Sequence, residues 1–267
     1  MKDFSVKRHD NGVWFGTFKH LDELNIKHGV SSRLGGRSKA PFESLNLGLS
    51  TGDDPEVVKA NRRLFCEAVG VDVDRLVTAG QVHGDRVYVV EEKDVKVGEV
   101  TLIPETDALV TAAKGVPIML SFADCVPVLL YDPVHQVAAV SHAGWRGTVA
   151  KIAQKTIKTM QEQFGTRTGE CLAAIAPSIG ACCYEVDQTV TSALEQSFSW
   201  WQEVIVPRGD RWLLDLWETN RRQLTDIGVQ PENIIISGVC TNCNTQLFYS
   251  YRAGKGRTGR IGAIIAL

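Results

Sequence analysis

Short runs of β-branched and aliphatic residues alternate along the chain with longer segments in which apolar residues recur every three or four positions. Short apolar runs bounded by turn residues are typical of buried strands, and the three-and-four spacing is typical of amphipathic helices. The pattern predicts strands at residues 12–18, 76–77 continuing into 87–91, 108–111, 116–122, 126–132, 136–141, 172–175, 234–238 and 262–266. It predicts helices at Pro55–Val69 and at residues 148–164, 188–200 and 216–227.

Helix-end signals and the order of the elements define the expected architecture. Asp54 is a capping carboxylate ahead of Pro55, which suits a first helical position, and Gly70 follows the predicted end of that helix. The strands between residues 116 and 141 predict a tight meander, whereas helices separate strands elsewhere, so the sheets are expected to be mixed. No internal repeat or linker divides the sequence. We therefore predict an α+β fold in a single domain that spans residues 1–267.

The composition restricts the classes of partner. Hydrophobic residues make up 44% of the 267 and charged residues 22%, the formal net charge is −2, and no block of five or more like charges occurs, so the charge balance does not favour nucleic-acid binding. No apolar stretch reaches the roughly 18 residues that a membrane span requires, and the first residues lack the apolar run of a secretory signal. We expect a cytoplasmic protein with neither nucleic acid nor membrane as a partner.

Three side chains with metal-binding chemistry adjoin predicted strands or turns. Cys125 and His142 each lie at the end of an apolar run, among polar residues, and the two runs are predicted to be neighbouring strands. His83 lies among small residues that permit a sharp turn. Two imidazoles and one thiolate would fill three of the four tetrahedral positions of Zn²⁺ and leave the fourth for water or substrate. From residue types alone two alternatives stay open. Cys125 is either a buried thiol with both histidines bonded to carbonyls, or a nucleophile with His142 as its base and Asp124 or Asp85 as the orienting group.

Several motifs occur together and in order along most of the chain. They are Gln81-Val82-His83-Gly84, Thr106-Asp107-Ala108-Leu109-Val110-Thr111, Ala123-Asp124-Cys125-Val126-Pro127, Ser141-His142-Ala143-Gly144-Trp145-Arg146-Gly147-Thr148, Pro177-Ser178-Ile179-Gly180-Ala181-Cys182-Cys183-Tyr184-Glu185-Val186 and Thr258-Gly259-Arg260. In these motifs the sequence resembles the YfiH family, also called laccase-domain or polyphenol oxidase-like proteins.

The resemblance implies both a fold and an activity. It implies a four-layer α/β/β/α sandwich with two mixed β-sheets between helices, and zinc bound by His83, Cys125 and His142, with copper as the alternative metal. It also implies phosphorolysis of adenosine, inosine or methylthioadenosine and deamination of adenosine, so that purine nucleoside and phosphate are the expected partners of a monomer or homodimer. Other names in the family point to copper-dependent oxidation of phenols and to editing of a cell-wall precursor.

The number of histidines argues against the oxidase. A laccase needs several coppers and about ten or more ligands, whereas this chain has six histidines and no His-x-His pair. One metal with three ligands suits Lewis-acid chemistry better. A cysteine hydrolase or amidase that acts on cell-wall precursors remains the second alternative.

Phosphorolysis requires groups that bind phosphate and ribose. Arg33, Arg62 and Arg146 are the candidate phosphate ligands, because guanidinium groups match the geometry of phosphate oxygens. Asn46 either hydrogen-bonds the nucleoside or caps a turn. For deamination, Asp124 or Asp85 would carry the proton, although the usual zinc deaminase signature is absent. We therefore count Asp124 and Arg146 with Cys125 and His142 as catalytic candidates.

Two further features have no assigned role. Cys240 and Cys243 have the C-x-x-C spacing of redox or zinc sites, but a closed zinc site needs a second pair. Cys182 and Cys183 would supply that pair only if adjacent residues both pointed inward, so partly buried thiols are the default expectation. Arg260, in the last motif, is given no function.

Overall fold

The computed structural model describes residues 3–267. Its strands are β1 Phe4–Arg8, β2 Trp14–Phe18, β3 Lys27–Ser31, β4 Val77–Ala79, β5 Val87–Val90, β6 Thr101–Ile103, β7 Ala108–Thr111, β8 Ile118–Phe122, β9 Val126–Asp132, β10 Val137–Ala143, β11 Leu172–Ile175, β12 Glu185–Val186, β13 Ile205–Arg208, β14 Arg211–Leu214, β15 Ile234–Ile236 and β16 Ile261–Ala266. Its α-helices are α1 Lys19–Asp22, α2 Pro55–Val69, α3 Trp145–Val149, α4 Ile152–Phe164, α5 Gln188–Ser197 and α6 Leu216–Asp226. Within residues 3–267 no helix is long and apolar enough to cross a membrane.

The strands form two large sheets and one small one. A seven-stranded sheet runs in the order β1-β2-β3-β16-β8-β4-β6 and a six-stranded sheet in the order β15-β11-β9-β10-β7-β5. Both sheets are mixed, since β4 pairs in parallel with β6 and β8, and β5 pairs in parallel with β7, while most other pairs are antiparallel. A three-stranded sheet, β12-β14-β13, lies apart from these two.

Alternation of side chains along the strands divides the core into three apolar layers. In β8, Leu120 and Phe122 face the six-stranded sheet, whereas Met119 faces the other way and packs with Phe65 of α2. In β9, Leu129 faces the seven-stranded sheet and the residues on either side of it pack with α4, α5 and α6. Helix α2, the two sheets and the group of α4 to α6 therefore form four layers, and the predicted α+β sandwich of mixed sheets is confirmed.

The predicted meander between residues 116 and 141 is wrong. β9 and β10 form an antiparallel pair, but β8 belongs to the other large sheet, between β16 and β4. The chain passes from one sheet to the other at residues 123–125, where Asp124 has a left-handed φ of 79°. Likewise β4 and β5, which were predicted to continue one into the other, lie in different sheets.

The predicted helix at 148–164 is two helices. It begins earlier, at Trp145, stops at Val149, and starts again at Ile152 after Lys151 takes a left-handed φ of 63°. The strand predicted at 136–141 continues to Ala143, so His142 is inside β10 and not beyond it. Strands β1 Phe4–Arg8 and β3 Lys27–Ser31 were missed, as were the short strands β6 and β12 to β14.

Candidate active site

The side chains of Cys125, His142 and His83 lie close together near residues 123–125, where the chain passes from one large sheet to the other. Cys125 immediately precedes β9, and His142, on the adjacent strand β10, is paired with Pro127 of β9, so the two side chains leave neighbouring strands at the same end. His83 lies in the loop between β4 and β5 with a left-handed φ of 59°. One sulfur or nitrogen atom from each residue lies within 4.8 Å of the others, and the imidazole ring centroids of His83 and His142 are 4.8 Å apart. The sequence-predicted trio is therefore brought together.

Gly144 leaves space for the sulfur. A Cβ atom at this position would lie 2.9 Å from Sγ of Cys125 and 3.5 Å from Cδ2 of His83. The first distance is too short for any side chain without displacing the thiol, so only glycine allows β10 to end this close to Cys125. Helix α3 begins directly afterwards, with Gly144 as its N-terminal flanking residue.

Asp107 orients two of the three donors. It is completely buried, and its Oδ1 lies 2.8 Å from Nδ1 of His142. The same carboxylate accepts hydrogen bonds from the backbone N–H groups of Val82, His83 and Gly84 at 3.1, 3.0 and 2.8 Å. Because a carboxylate acceptor at Nδ1 requires a proton on that nitrogen, Nε2 of His142 is left to face Cys125 and His83.

Sequence reasoning assigned Asp107 no role. The signal available was an aspartate placed directly before a run of four buried residues, Ala108–Thr111, where a charge needs several partners to be buried. That signal predicts a hydrogen-bonded carboxylate, but not that one of its partners is His142, which is 35 positions away.

The charges of the trio are coupled. Burial alone would raise the pKa of Cys125, but His142 and then His83 outweigh burial and lower that pKa to about 6. Burial would lower the pKa of His142, but the neighbouring Cys125 and Asp107 raise it to about 9. Burial would raise the pKa of Asp107, and hydrogen bonds from His142 and Gly84 lower it. The protein alone thus favours a thiolate beside a protonated imidazole, an anionic sulfur of the kind that metals bind.

These donors fit a zinc ion and face a cavity. Two imidazoles and a thiolate are the donor types that zinc prefers, and Asp107 supplies the carboxylate that commonly orients a metal-binding histidine. The trio lies in the wall of a cavity of about 750 Å³, a volume that accommodates a small organic ligand. Other residues that line the cavity are Gly48, Leu49, Ser50, Thr51, Arg62, Thr78, Ala79, Gly80, Gln81, Leu102, Met119, Ser121, Ala123, Asp124, Gly144, Trp145, Arg146, Ile179, Tyr184, Leu216, Tyr251, Arg252 and Arg260.

Of the three predicted phosphate ligands, two reach this cavity. Arg62 is 4% exposed and donates from Nε to the carbonyl oxygen of Leu47 at 2.9 Å. Its terminal nitrogen Nη1 has no hydrogen-bond partner among residues 3–267. Burial lowers the pKa of Arg62 to about 10, so the group stays cationic at neutral pH. Arg146 is exposed and packs over the Trp145 ring. Arg260, which sequence reasoning left without a role, lines the same cavity.

The structure places Arg33 outside the lining of the cavity. Its guanidinium donates to the carbonyl oxygens of Glu43 and Thr245, both at 2.9 Å, and packs over the ring of Tyr249. Its donors are therefore used to connect two loops, and the prediction that Arg33 binds phosphate finds no geometric support.

Asn46 is a turn residue. It is completely buried, its amide donates to Thr51 and Asp53 at 2.9 and 3.0 Å, and its oxygen accepts from the backbone N–H groups of Gly48 and Arg260 at 3.1 and 2.8 Å. Of the two readings of this residue, the turn cap matches these contacts. A contact between Asn46 and the substrate would require breaking hydrogen bonds that already satisfy the amide. The structure therefore gives no support to the prediction that Asn46 binds substrate.

Neither candidate proton carrier is positioned for that task. The Asp124 carboxylate accepts from Thr241 Oγ1 at 2.7 Å, from Ser250 Oγ at 3.0 Å and from the backbone N–H of Arg252 at 2.7 Å, so it ties loops together at the cavity wall. Asp85 pairs with Lys155 at the surface and is not part of the cavity lining. These contacts make Asp124 a positioning residue instead of a free acid.

Comparison with known proteins identifies the family. Residues 27–267 match the family described as multi-copper polyphenol oxidoreductase laccase. The chain belongs to this family. It is 39% identical over 244 residues to the purine nucleoside phosphorylase YlmD of Bacillus subtilis, covering 90% of this chain and 87% of that protein. It is 36% identical over 225 residues to adenosine deaminase RL5 of an unknown prokaryotic organism, covering 82% and 85%.

A solved structure in the same group has the same fold. The crystal structure of the hypothetical protein YfiH of Bacillus licheniformis superposes with a TM-score of 0.92 at 31% identity and covers 98% of both chains. The predicted membership, inferred from six motifs, is therefore confirmed, and the fold is shared over nearly the whole chain.

The family description mentions several coppers, but this laccase-family chain brings together donors for single ions. Among residues 3–267, the clusters of three or more histidine, cysteine or acidic side chains that could hold a metal are the trio and one group of four cysteines. Two of the other histidines bond groups outside the cavity: His28 accepts from the N–H of Phe18, and His135 bonds Asp132. The donor arrangement thus favours one metal at the cavity, as the histidine count predicted.

Proposed function

We propose that this chain is a zinc-dependent purine nucleoside phosphorylase, acting on adenosine, inosine and methylthioadenosine, with adenosine deaminase activity in the same cavity. The observation that carries the proposal is the position of His83, Cys125 and His142 in the wall of a nucleoside-sized cavity that also contains the buried, partly unpaired cation Arg62. The names of the relatives YlmD and RL5 support both halves of it.

In this proposal one group of residues would hold the metal and another would bind phosphate. His83, Cys125 and His142 would hold zinc, which when bound supplies a Lewis acid that polarises a substrate oxygen or nitrogen. Asp107 keeps His142 in the tautomer whose Nε2 faces that position. Arg62, with Arg260 beside the cavity, would bind phosphate against the ribose and neutralise its charge.

The reaction balances without an additional co-reactant. An oxygen of hydrogen phosphate forms a bond to C1′ of the ribose as the bond from C1′ to the purine nitrogen breaks. The electron pair of that bond leaves with the base, and the proton of hydrogen phosphate balances the departing purine, so that ribose 1-phosphate and free base result. Arg62 and Arg146 carry positive charge that favours phosphate entry into the cavity.

The direct test is product analysis on the purified protein. With adenosine and phosphate we expect adenine and ribose 1-phosphate, together with inosine that forms without phosphate. Elemental analysis of the same preparation distinguishes zinc from copper, and Cys125→Ser is expected to remove both the metal and the two activities. A metal-loaded, folded protein that produces neither adenine nor inosine would rule the proposal out.

A second candidate is a cysteine hydrolase or amidase acting on cell-wall precursor peptides, and the low pKa of Cys125 beside His142 favours it. The two candidates make opposite predictions for alkylation by iodoacetamide. A metal site predicts that zinc protects Cys125, whereas a nucleophile predicts modification in the protein as purified, with a covalent adduct on substrate addition.

A further inference from the structure

The second group of possible metal ligands lies apart from the trio. The sulfur atoms of Cys182, Cys183, Cys240 and Cys243 all lie within 4.8 Å of one another; we call them the four-cysteine cluster. Sγ of Cys243 is 3.6 Å from Sγ of Cys182 and 3.3 Å from Sγ of Cys183. The sequence-based default of unconnected, partly buried thiols did not anticipate this convergence.

Two facing turns produce the cluster. In the first, the backbone N–H groups of Cys183 and Tyr184 donate to the carbonyl oxygen of Gly180 at 2.9 and 3.0 Å. Side chains of adjacent residues point to opposite sides in a strand but not in a turn, which lets Cys182 and Cys183 approach the same point. The second turn begins at Cys240, which forms an isolated parallel bridge with Ser178 and so brings the C-x-x-C segment against the first turn.

We propose that the four-cysteine cluster is a second, structural zinc site. Zinc bonds four thiolates at about 2.3 Å in a tetrahedron, which requires sulfur atoms about 3.8 Å apart. The observed sulfur separations of 3.3 and 3.6 Å, and the 4.8 Å limit for all pairs, need only sub-ångström to ångström adjustments to reach that geometry. The backbone N–H of Gly180 also lies 3.3 Å from Sγ of Cys240, the kind of donor that stabilises a metal-bound thiolate.

Disulfides account for the cluster less well. Cys243 is nearly equidistant from two sulfurs, whereas a disulfide would join it to only one of them, and the four sulfurs would have to separate into two pairs. A single ion contacts all four. Four soft sulfur donors with no oxygen or nitrogen donor select a thiophilic metal in tetrahedral geometry, and with every vertex filled by protein the ion has no open position for substrate.

The location indicates what the ion would stabilise. Ile179 and Tyr184, which flank the first turn, line the cavity, and the N–H of Ile179 donates to the carbonyl oxygen of Asp124 at 2.9 Å. Thr241, inside the C-x-x-C segment, donates to the Asp124 carboxylate. The second zinc would therefore clamp together two turns that hold the cavity wall next to Cys125.

The test counts zinc per chain in protein purified with reductant and without chelator. We expect two equivalents in the wild type, one in Cys125→Ser, one in the double variant Cys182→Ser/Cys243→Ser, and none when all three substitutions are combined. Cys66→Ala, which alters a buried cysteine belonging to neither group, is the matched control and should retain two. A wild type with one equivalent that Cys125→Ser abolishes would overturn the proposal, as would two equivalents retained by the double variant.

A measurement on the wild type covers the case in which the double variant fails to fold. Metal-free protein titrated with cobalt(II) should take up a second equivalent with thiolate charge-transfer absorption several times stronger than that of the one-cysteine site. Zinc-loaded protein should also resist alkylation at all four cysteines until chelator is added. Free alkylation in the zinc-loaded state, or disulfide-linked peptides from protein kept reduced, would contradict the assignment. Because metal counting needs no turnover, its failure is distinguishable from failure of the proposed enzymatic function.

Discussion

Asp107 is the residue on which the geometry of the His83, Cys125 and His142 trio depends most directly. Asparagine in its place keeps one acceptor for His142 but puts an NH₂ group against the N–H donors of Val82 and Gly84. We expect Asp107→Asn to weaken zinc binding by about 10- to 100-fold, as for other carboxylates that orient metal ligands. Competition with a chelator of known affinity measures the change.

A matched control for that variant exists in the same chain. Asp132 is also completely buried and accepts from the backbone N–H groups of Val134 and His135 as well as from the ring of His135. Asp132→Asn should lower stability and leave zinc affinity unchanged. Equal losses of zinc affinity in the two variants would mean that Asp107 acts through general stability and not by orienting His142.

Arg62 should determine the affinity for phosphate. Replacing it by glutamine removes a buried cation whose Nη1 has no partner in the described part of the chain, and hydrogen bonds to charged groups contribute about 1.5–3 kcal/mol. We expect Arg62→Gln to raise the KM for phosphate by about 10- to 100-fold and the KM for adenosine much less. Arg33→Gln, a change in an arginine whose donors bond carbonyls outside the cavity, is the control. An unchanged KM for phosphate in folded Arg62→Gln would exclude this residue as the phosphate ligand.

Residue type alone did not show which of the candidate polar side chains reach the cavity. Arg33, Arg62 and Asn46 all looked suitable for binding phosphate or ribose, yet only Arg62 lines the cavity. The difference lies in which backbone carbonyls and N–H groups each side chain meets, and those partners come from distant parts of the chain, such as Thr245 for Arg33 and Arg260 for Asn46. By contrast, the convergence of His83, Cys125 and His142 could be expected from the sequence, because their motifs carry chemistry that a resemblance can transfer.

At the scale of elements, the close approach of β10 and the Cys125 loop gives Gly144 its importance. A methyl group at Gly144 would lie 2.9 Å from the sulfur, while zinc ligands must be placed to within about 0.2 Å. We expect Gly144→Ala to reduce zinc affinity by about tenfold or more. Gly80→Ala, in the same cavity, is the control, because the nearest atom to its added Cβ is 3.6 Å away. Retention of full zinc affinity in Gly144→Ala would show that the backbone here moves freely.

Elements were predictable where they are long and strongly periodic, and unpredictable where tertiary contacts decide. Helix α2 has the predicted bounds, as do β7, β9 and β11. The assignment of β8 to the other sheet could not be read from periodicity, because consecutive apolar strands look alike whether they pair or cross between layers. The interruption between α3 and α4 is likewise hidden, since Lys151 is an ordinary helix former that adopts a left-handed conformation here.

At the scale of the whole molecule, the chain passes between the two large sheets and strands near its two ends pair within one of them, so we expect it to unfold as one unit. The chain crosses between the two large sheets at residues 123–125, and β16, at the far end of the sequence, pairs with β3 and β8. We propose that residues 1–267 are one domain and expect a single calorimetric transition in metal-free protein, with equal calorimetric and van't Hoff enthalpies. Two separated transitions would contradict the single-domain assignment.

The stability of the molecule should fall in acid, in part because of His20. Its ring is half-buried in α1. Burial, reinforced by His28, lowers the pKa of His20 from 6.5 to about 4, despite the opposing effects of the Ala173 backbone and of the charges of Asp3 and Glu23. The unfolded chain therefore binds a proton below pH 6.5 that the folded chain resists until about pH 4. Stability is fully present above the unfolded pKa and decreases as pH falls between these values.

We expect His20→Leu to make this acid loss smaller by about 1–2 kcal/mol, a value reduced from the full shift because part of the ring is exposed to solvent. Urea unfolding of metal-free wild type and variant at pH 7 and near pH 4.5, at constant ionic strength, measures the difference, and removing the metal prevents zinc release from contributing. His28 stays in both proteins, so some loss in acid should remain in the variant. If the two proteins lose the same free energy on acidification, the His20 ring is already protonated in the folded state or solvated more fully than its position indicates.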